Sequence, residues 1–133
     1  NLIERYLKEH LYKSDHTMDA QIAYAVNQIN AHEGKISISH LMNEVNLCQR
    51  HFERKFKLHT GFTPQKYNSI VRFKNAIKIL RNESSDNLLS VAVKAGYYDA
   101  SHLSREVKKL SGSTPNFFLS LPPDNETTII YTK

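Results

Sequence analysis

Cysteine occurs once in this chain, at Cys48, and glycine and proline only four times each. A single cysteine excludes an internal disulfide and a zinc site built on cysteine ligands, and such sparing use fits a reducing compartment. With so few glycines there is no glycine-rich phosphate loop. The seven histidines, His10, His16, His32, His40, His51, His59 and His102, show neither the H-E-x-x-H spacing nor another ligand spacing. Cys48 has no evident histidine and carboxylate partners. Catalysis, a metal centre and a cofactor are therefore not expected. No stretch approaches the ~20 apolar residues of a membrane-spanning helix, and no signal-peptide pattern opens the chain. The expectation is a soluble, cytoplasmic protein with no membrane partner. The first residue is Asn1 rather than methionine, so the chain is expected to be a piece of a longer protein.

The 133 residues and 15.4 kDa suit one ordinary domain or two very small ones, and 40% hydrophobic residues suffice for a core. The charge is unevenly placed. Residues 49–81 hold nine Lys or Arg (Arg50, Arg54, Lys55, Lys57, Lys66, Arg72, Lys74, Lys78, Arg81) against one acid, Glu53, a net +8. The whole chain carries only +5, so the remainder is at −3. A basic block in an otherwise slightly acidic protein is the footprint of a polyanion partner, and the competing reading is an ordinary solvated helix face.

Apolar residues recur at helical spacing in Leu2, Tyr6 and Leu11, in Ile22, Val26 and Ile29, and in Tyr67, Ile70, Val71, Ile77 and Leu80. Strand-type alternation is absent before TTIIYT at 127–132. Gly34 marks one helix end, Thr63-Pro64 a helix start, and 82–87 a polar break. Asp99 and Thr114 are placed to cap the amides that a first helical turn leaves free. Seven helices are predicted, over 19–33, 38–45, 49–59, 64–81, 88–95, 100–110 and 115–119. Ahead of them, residues 1–18 read as an amphipathic linker helix, 2–12, followed by a polar joint, and 120–133 as a tail that is mobile or adds a short strand.

One pattern occurs twice. NLCQRHFERKFKLHTGFTP, residues 46–64, is echoed by YYDASHLSREVKKLSGSTP, residues 97–115, at an offset of 51. Phe52 matches Leu103, Arg54 matches Arg105, Phe56 matches Val107, Lys57 matches Lys108, Gly61 matches Gly112, Thr63 matches Thr114 and Pro64 matches Pro115. Upstream, Ile38, Leu41, Met42, Val45 and Asn46 answer to Leu88, Val91, Ala92, Ala95 and Gly96 at an offset of 50, so the second turn is one residue longer. Each copy is a short helix, a tight turn and a longer basic helix, the helix-turn-helix order in which the second helix enters a DNA major groove.

These residues resemble the DNA-binding domain of the AraC/XylS transcription regulators. The resemblance covers 19–119 and rests on ISISHLMNEVNLCQRHFERKFKLHTGFTPQKYNSIVRFKNAIKIL and LLSVAVKAGYYDASHLSREVKKLSGSTPNFF. It implies an all-α fold with two helix-turn-helix units, 19–62 and 83–119, joined by a long central helix over 63–82. It further implies binding to double-stranded DNA across two successive major grooves, a sensing or dimerising domain upstream, and activation through RNA polymerase. Cys48, Val107 and Phe117-Phe118 stand where the family usually has serine, phenylalanine and a tyrosine-arginine pair. A helix over 64–81 rises about 27 Å at about 1.5 Å per residue, which suits two recognition helices about 34 Å apart, one turn of B-DNA.

At the front of the first recognition helix, Gln49, Arg50, Glu53 and Arg54 lie opposite Phe52 and Phe56, which must face the core. Arg50 and Arg54 suit two-bond recognition of guanine. Glu53 has two roles open, accepting from cytosine or orienting Arg50. The second helix offers Ala100, Ser101, Ser104 and Arg105, with Arg105 its one long reader. Phosphate contacts are expected from Lys55, Lys57, Lys108 and Lys109 and from the helix starts near Ser37, Thr63 and Thr114. His51 and His102 occupy matched positions and reach phosphates or bases, or are plain surface histidines. The rival to sequence-specific binding is a helical protein-interaction module or one that grips nucleic acid without reading it.

Overall fold

The computed structural model describes residues 3, 16–82 and 87–122. Seven helices run through them: α1 His16–Ala31, α2 Ile38–Val45, α3 Gln49–Thr60, α4 Pro64–Asn82, α5 Leu88–Ala95, α6 Ala100–Ser111 and α7 Pro115–Leu119. No strand occurs among the described residues. The expected linker helix over 2–12 and the strand at 127–132 lie outside them, residue 3 excepted. The two largest shifts from the predicted bounds are in α1. It starts inside the expected polar joint, and it ends two residues early because Glu33 and Gly34 both take positive φ, 56° and 75°, which closes the helix.

The described residues divide into two compact units, one from 16–32 and 36–67, the other from 33–35, 68–82 and 87–122. In the first, α1 packs on α2 and α3. Ala25, Ile29, Leu41, Phe52 and Phe56 are fully buried there. Phe52 meets Phe56 edge-on at 5.7 Å, and Phe56 meets Tyr67 at 5.5 Å. Polar bonds tie the helices as well. Gln21 donates to the Val45 carbonyl at 2.7 Å, and the Glu44 carboxylate accepts from the Tyr24 hydroxyl at 2.6 Å and lies 2.8 Å from His40 Nε2. Asn46 ends α2 in the left-handed region at φ 58°, which its short polar side chain tolerates, and Cys48 opens α3.

The second unit closes on Phe73, Ala76, Ile77 and Leu80 of α4, Val91, Ala92 and Ala95 of α5, and Leu103, Val107 and Leu110 of α6. Phe118 and Leu119 of α7 pack against this cluster. Ala92 is fully buried on α5, and the left-handed Gly96 ends that helix, where a Cβ would stand 2.4 Å from the Lys35 side chain. The turn 96–99 is one residue longer than 46–48. Gly34 is needed for closeness too. A Cβ there would stand 2.2 Å from the Arg72 amide nitrogen and 2.5 Å from the Asn68 carbonyl oxygen, so only glycine lets 33–35 lie against α4.

The caps divide. Asp99 accepts the His102 amide at 2.7 Å, Asn87 the Ser90 amide at 2.7 Å, and Thr63 the Lys66 amide at 3.2 Å. Thr114 does not cap with its side chain, against expectation. Its backbone carbonyl instead takes the Phe117 amide at 3.1 Å, a tighter turn that suits a five-residue helix begun by Pro115.

Candidate nucleic-acid interface

Helix α3 turns Phe52 and Phe56 inward, and the spacing of a helix then forces Arg50 and Arg54 outward, where both are exposed, while Gln49 shares the phenylalanines' side and is exposed as the first residue of the helix. Glu53 is half-buried and its Oε1 accepts a bond from Gln49 Nε2 at 3.0 Å, so these two expected readers are already tied to each other. Helix α6 repeats the arrangement. Leu103, Val107 and Leu110 are buried, Ser101 and Arg105 are exposed, and Ala100 and Ser104 are intermediate. An open hollow of about 630 Å³ brings Ser104, Arg105, Lys108 and Lys109 together with Thr114 and Asn116. A second, of about 660 Å³, brings together His51, Arg54, Lys55, Lys57 and Leu58. The matched pairs Arg54 with Arg105 and Lys57 with Lys108 therefore line equivalent concavities.

Not every expected phosphate contact stands free. Lys55 is only 5% exposed, so of the lysines expected on phosphates it is the one largely withdrawn from solvent, although it lines the same hollow as Arg54 and Lys57. Lys108 is exposed, but its Nζ donates to the Gly112 carbonyl at 2.9 Å, closing the C-terminus of its own helix with one of its three donors. Lys57 and Lys109 are exposed. Ser37 and Thr63 spend their hydroxyls on the amides of His40 and Lys66. The two matched histidines also part ways. Partial desolvation, with Lys55 and Arg54 beside it, holds the His51 pKa below its ordinary 6.5, so the ring is neutral at pH 7. His102 is partly exposed, and both ring nitrogens have neighbours in its own unit: Nδ1 accepts the Tyr98 amide at 3.3 Å and Nε2 lies 3.7 Å from Glu106.

A polar cluster absent from the expectations sits behind α6. Arg72, counted above in the basic block, points inward with a side chain 16% exposed and is paired with Glu106 at 3.1 Å. Tyr97 donates its hydroxyl to the same carboxylate at 3.2 Å. Burial, with Glu106 adding to it, raises the Tyr97 pKa well above 10.0 and keeps the phenol a donor. The available signal was Glu106 itself, the one acid in α6, at the position where the repeat has Lys55.

Two units of this kind, each presenting a basic second helix from a closed core and joined by α4, define a double helix-turn-helix DNA-binding domain. The family model described as "Helix-turn-helix domain" matches residues 41–120, and the chain belongs to this family, in its AraC type. The chain is 28% identical over 109 residues to the HTH-type transcriptional activator RhaS of Escherichia fergusonii, covering 81% of this chain and 39% of RhaS. It thus spans well under half the length of that relative. Among solved structures it is similar to the C-terminal domain of AraT, a response regulator from Geobacillus stearothermophilus, with a TM-score of 0.70 at 18% identity over 81% of this chain and 91% of that one. It is also similar to the DNA-binding domain of the global transcriptional factor AdpA in complex with a target DNA, with a TM-score of 0.67 at 22% identity over 74% and 89%. At these identities the solved structures establish the fold.

Proposed function

We propose that this domain reads duplex DNA sequence-specifically as part of a cytoplasmic transcription activator, with α3 and α6 each entering one of two successive major grooves. The observation that carries the reading is the outward face repeated on the two helices, Arg50 and Arg54 on α3 and Ser101 and Arg105 on α6, each backed by a buried core face. Arginine at these places donates two bonds to guanine, worth about 1–3 kcal/mol of discrimination. Gln49 and Glu53 act as one hydrogen-bonded pair beside Arg50, while Ala100 and Ser104 contribute shape and close approach. Lys57, Lys108, Lys109, His51 and the amides that open α2, α4 and α7, beside Ser37, Thr63 and Thr114, hold the phosphates. In the whole regulator, an upstream sensing or dimerising domain sets when the DNA is engaged, and RNA polymerase is the partner an activator recruits.

The test is a mobility shift with a duplex selected from randomised sequence, random duplex, single strand and RNA across a salt series. The expected result is tightest binding to the selected duplex, with log K falling against log salt at about −0.9 per neutralised phosphate. Equal affinity for all polyanions would favour the non-specific module, and no binding would favour the protein-interaction module.

A further inference from the structure

The apolar contacts that seat α6, through Leu103, Val107 and Leu110, are non-directional, so they set the depth of the helix more sharply than its roll. The contacts of Glu106 are directional. Its two carboxylate oxygens accept from Arg72 Nη2 at 3.2 and 3.1 Å, and one of them also accepts from the Tyr97 hydroxyl. Arg72 is itself fixed from two further sides, donating to the Gly34 carbonyl at 3.3 Å and to Ser69 Oγ at 3.2 Å, with its guanidinium 5.2 Å from the centre of the Tyr97 ring. One turn back on the same face of α6, His102 meets Tyr97 edge-on at 5.0 Å. The carboxylate thereby ties the recognition helix to α4, to the 33–35 segment and to its own turn.

A buried ion pair of this kind is weak evidence for stability, because removing both charges from water offsets most of their attraction. What it does supply is orientation. Glu106 directly follows Arg105, and a roll of about 20° moves a side-chain tip about 2 Å, more than a hydrogen bond to a base edge tolerates. The repeat has Lys55 at the matched place in α3, so this device belongs to the second unit and not to the pattern both units share.

We propose that Glu106 is a positioning residue for base reading: held by Arg72 and Tyr97, it sets the roll of α6 so that Arg105 meets its base pair, and it thereby sets the selectivity of the second half-site. This rests on the DNA reading above. The experiment compares the chain with its Glu106→Gln and Tyr97→Phe variants on three duplexes: the selected site, the site with the base pair read by Arg105 changed, and the site with one first-half base pair changed. Salt slopes and circular dichroism accompany each titration. For Glu106→Gln, discrimination at the second half-site is expected to fall about tenfold, while discrimination at the first half-site and the salt slope stay as they were. Tyr97→Phe, which removes one bond and no charge, is expected to move the same ratio less, and it carries the test should Glu106→Gln lose its helical signal. Unchanged discrimination at the second half-site, or an equal loss on all three duplexes, would overturn the proposal. An unsubstituted chain that discriminates at neither half-site would sink the DNA reading along with it.

Discussion

At the scale of single residues, the matched arginines Arg54 and Arg105 are the proposed readers, one in each unit. Arg54→Ala is expected to cost about 1–3 kcal/mol on the selected duplex and little on random DNA, whereas Arg105→Ala should relax one base position in the other half-site. Competition titrations against both duplexes measure this, and equal losses on specific and random DNA would count against base reading by Arg54. His51 offers a pH test. Its pKa lies below 6.5 in the free protein, and a phosphate beside it would raise that value, so binding would take up a proton. Affinity should then strengthen as pH falls from 7 through 6, and His51→Gln should flatten the curve; a flat curve in the parent chain would leave His51 off the phosphates. The outward arginines were legible because the flanking apolar spacing fixes which way each side of a helix faces. The burial of Arg72 and Lys55 was not, since nothing in a charge count says whether a long side chain meets a phosphate or a partner behind its own helix.

At the scale of elements, boundaries were legible wherever a residue type leaves the backbone one choice. Thr63-Pro64 opens α4 as expected and the left-handed Gly34 follows the end of α1, while Gly61, Gly96 and Gly112 end helices in the same conformation without having been singled out for it. The same glycines differ in what surrounds them, and that sequence does not print. Gly61→Ala meets nothing within 4 Å and should cost only the left-handed strain, about 1–2 kcal/mol. Gly34→Ala adds a clash with backbone atoms of Asn68 and Arg72, which cannot rotate away, so its loss of stability should be at least twice as large. Denaturant unfolding of both variants decides it, and equal losses would mean that 33–35 is free to lift from α4. Thr63 and Thr114 make the complementary point: the same Thr-Pro signal gives a side-chain cap on a 19-residue helix and none on a five-residue one, because the short helix closes through its backbone.

For the whole molecule, the basic block is real but smaller at the surface than on paper. Lys57→Ala and Lys108→Ala should each flatten the salt slope by about 0.9, while Lys55→Met should leave it unchanged. Slopes from the same titration series test all three, and a flattened slope for Lys55→Met would put that ammonium back among the phosphate contacts. The fold class was legible almost whole, since two copies of one pattern constrain each other as a single copy does not. The copies nonetheless keep separate interiors, Phe52 with Phe56 in one and Leu103 with Val107 in the other. Substitutions on the outward face of either helix then leave the apolar interior behind it intact, because the two faces lie on opposite sides of the same element. On the proposed reading, a change at Arg50 or Arg54 alters what the first unit recognises while the contacts of the second stand, so the preferred sequence of one half-site shifts without loss of the other.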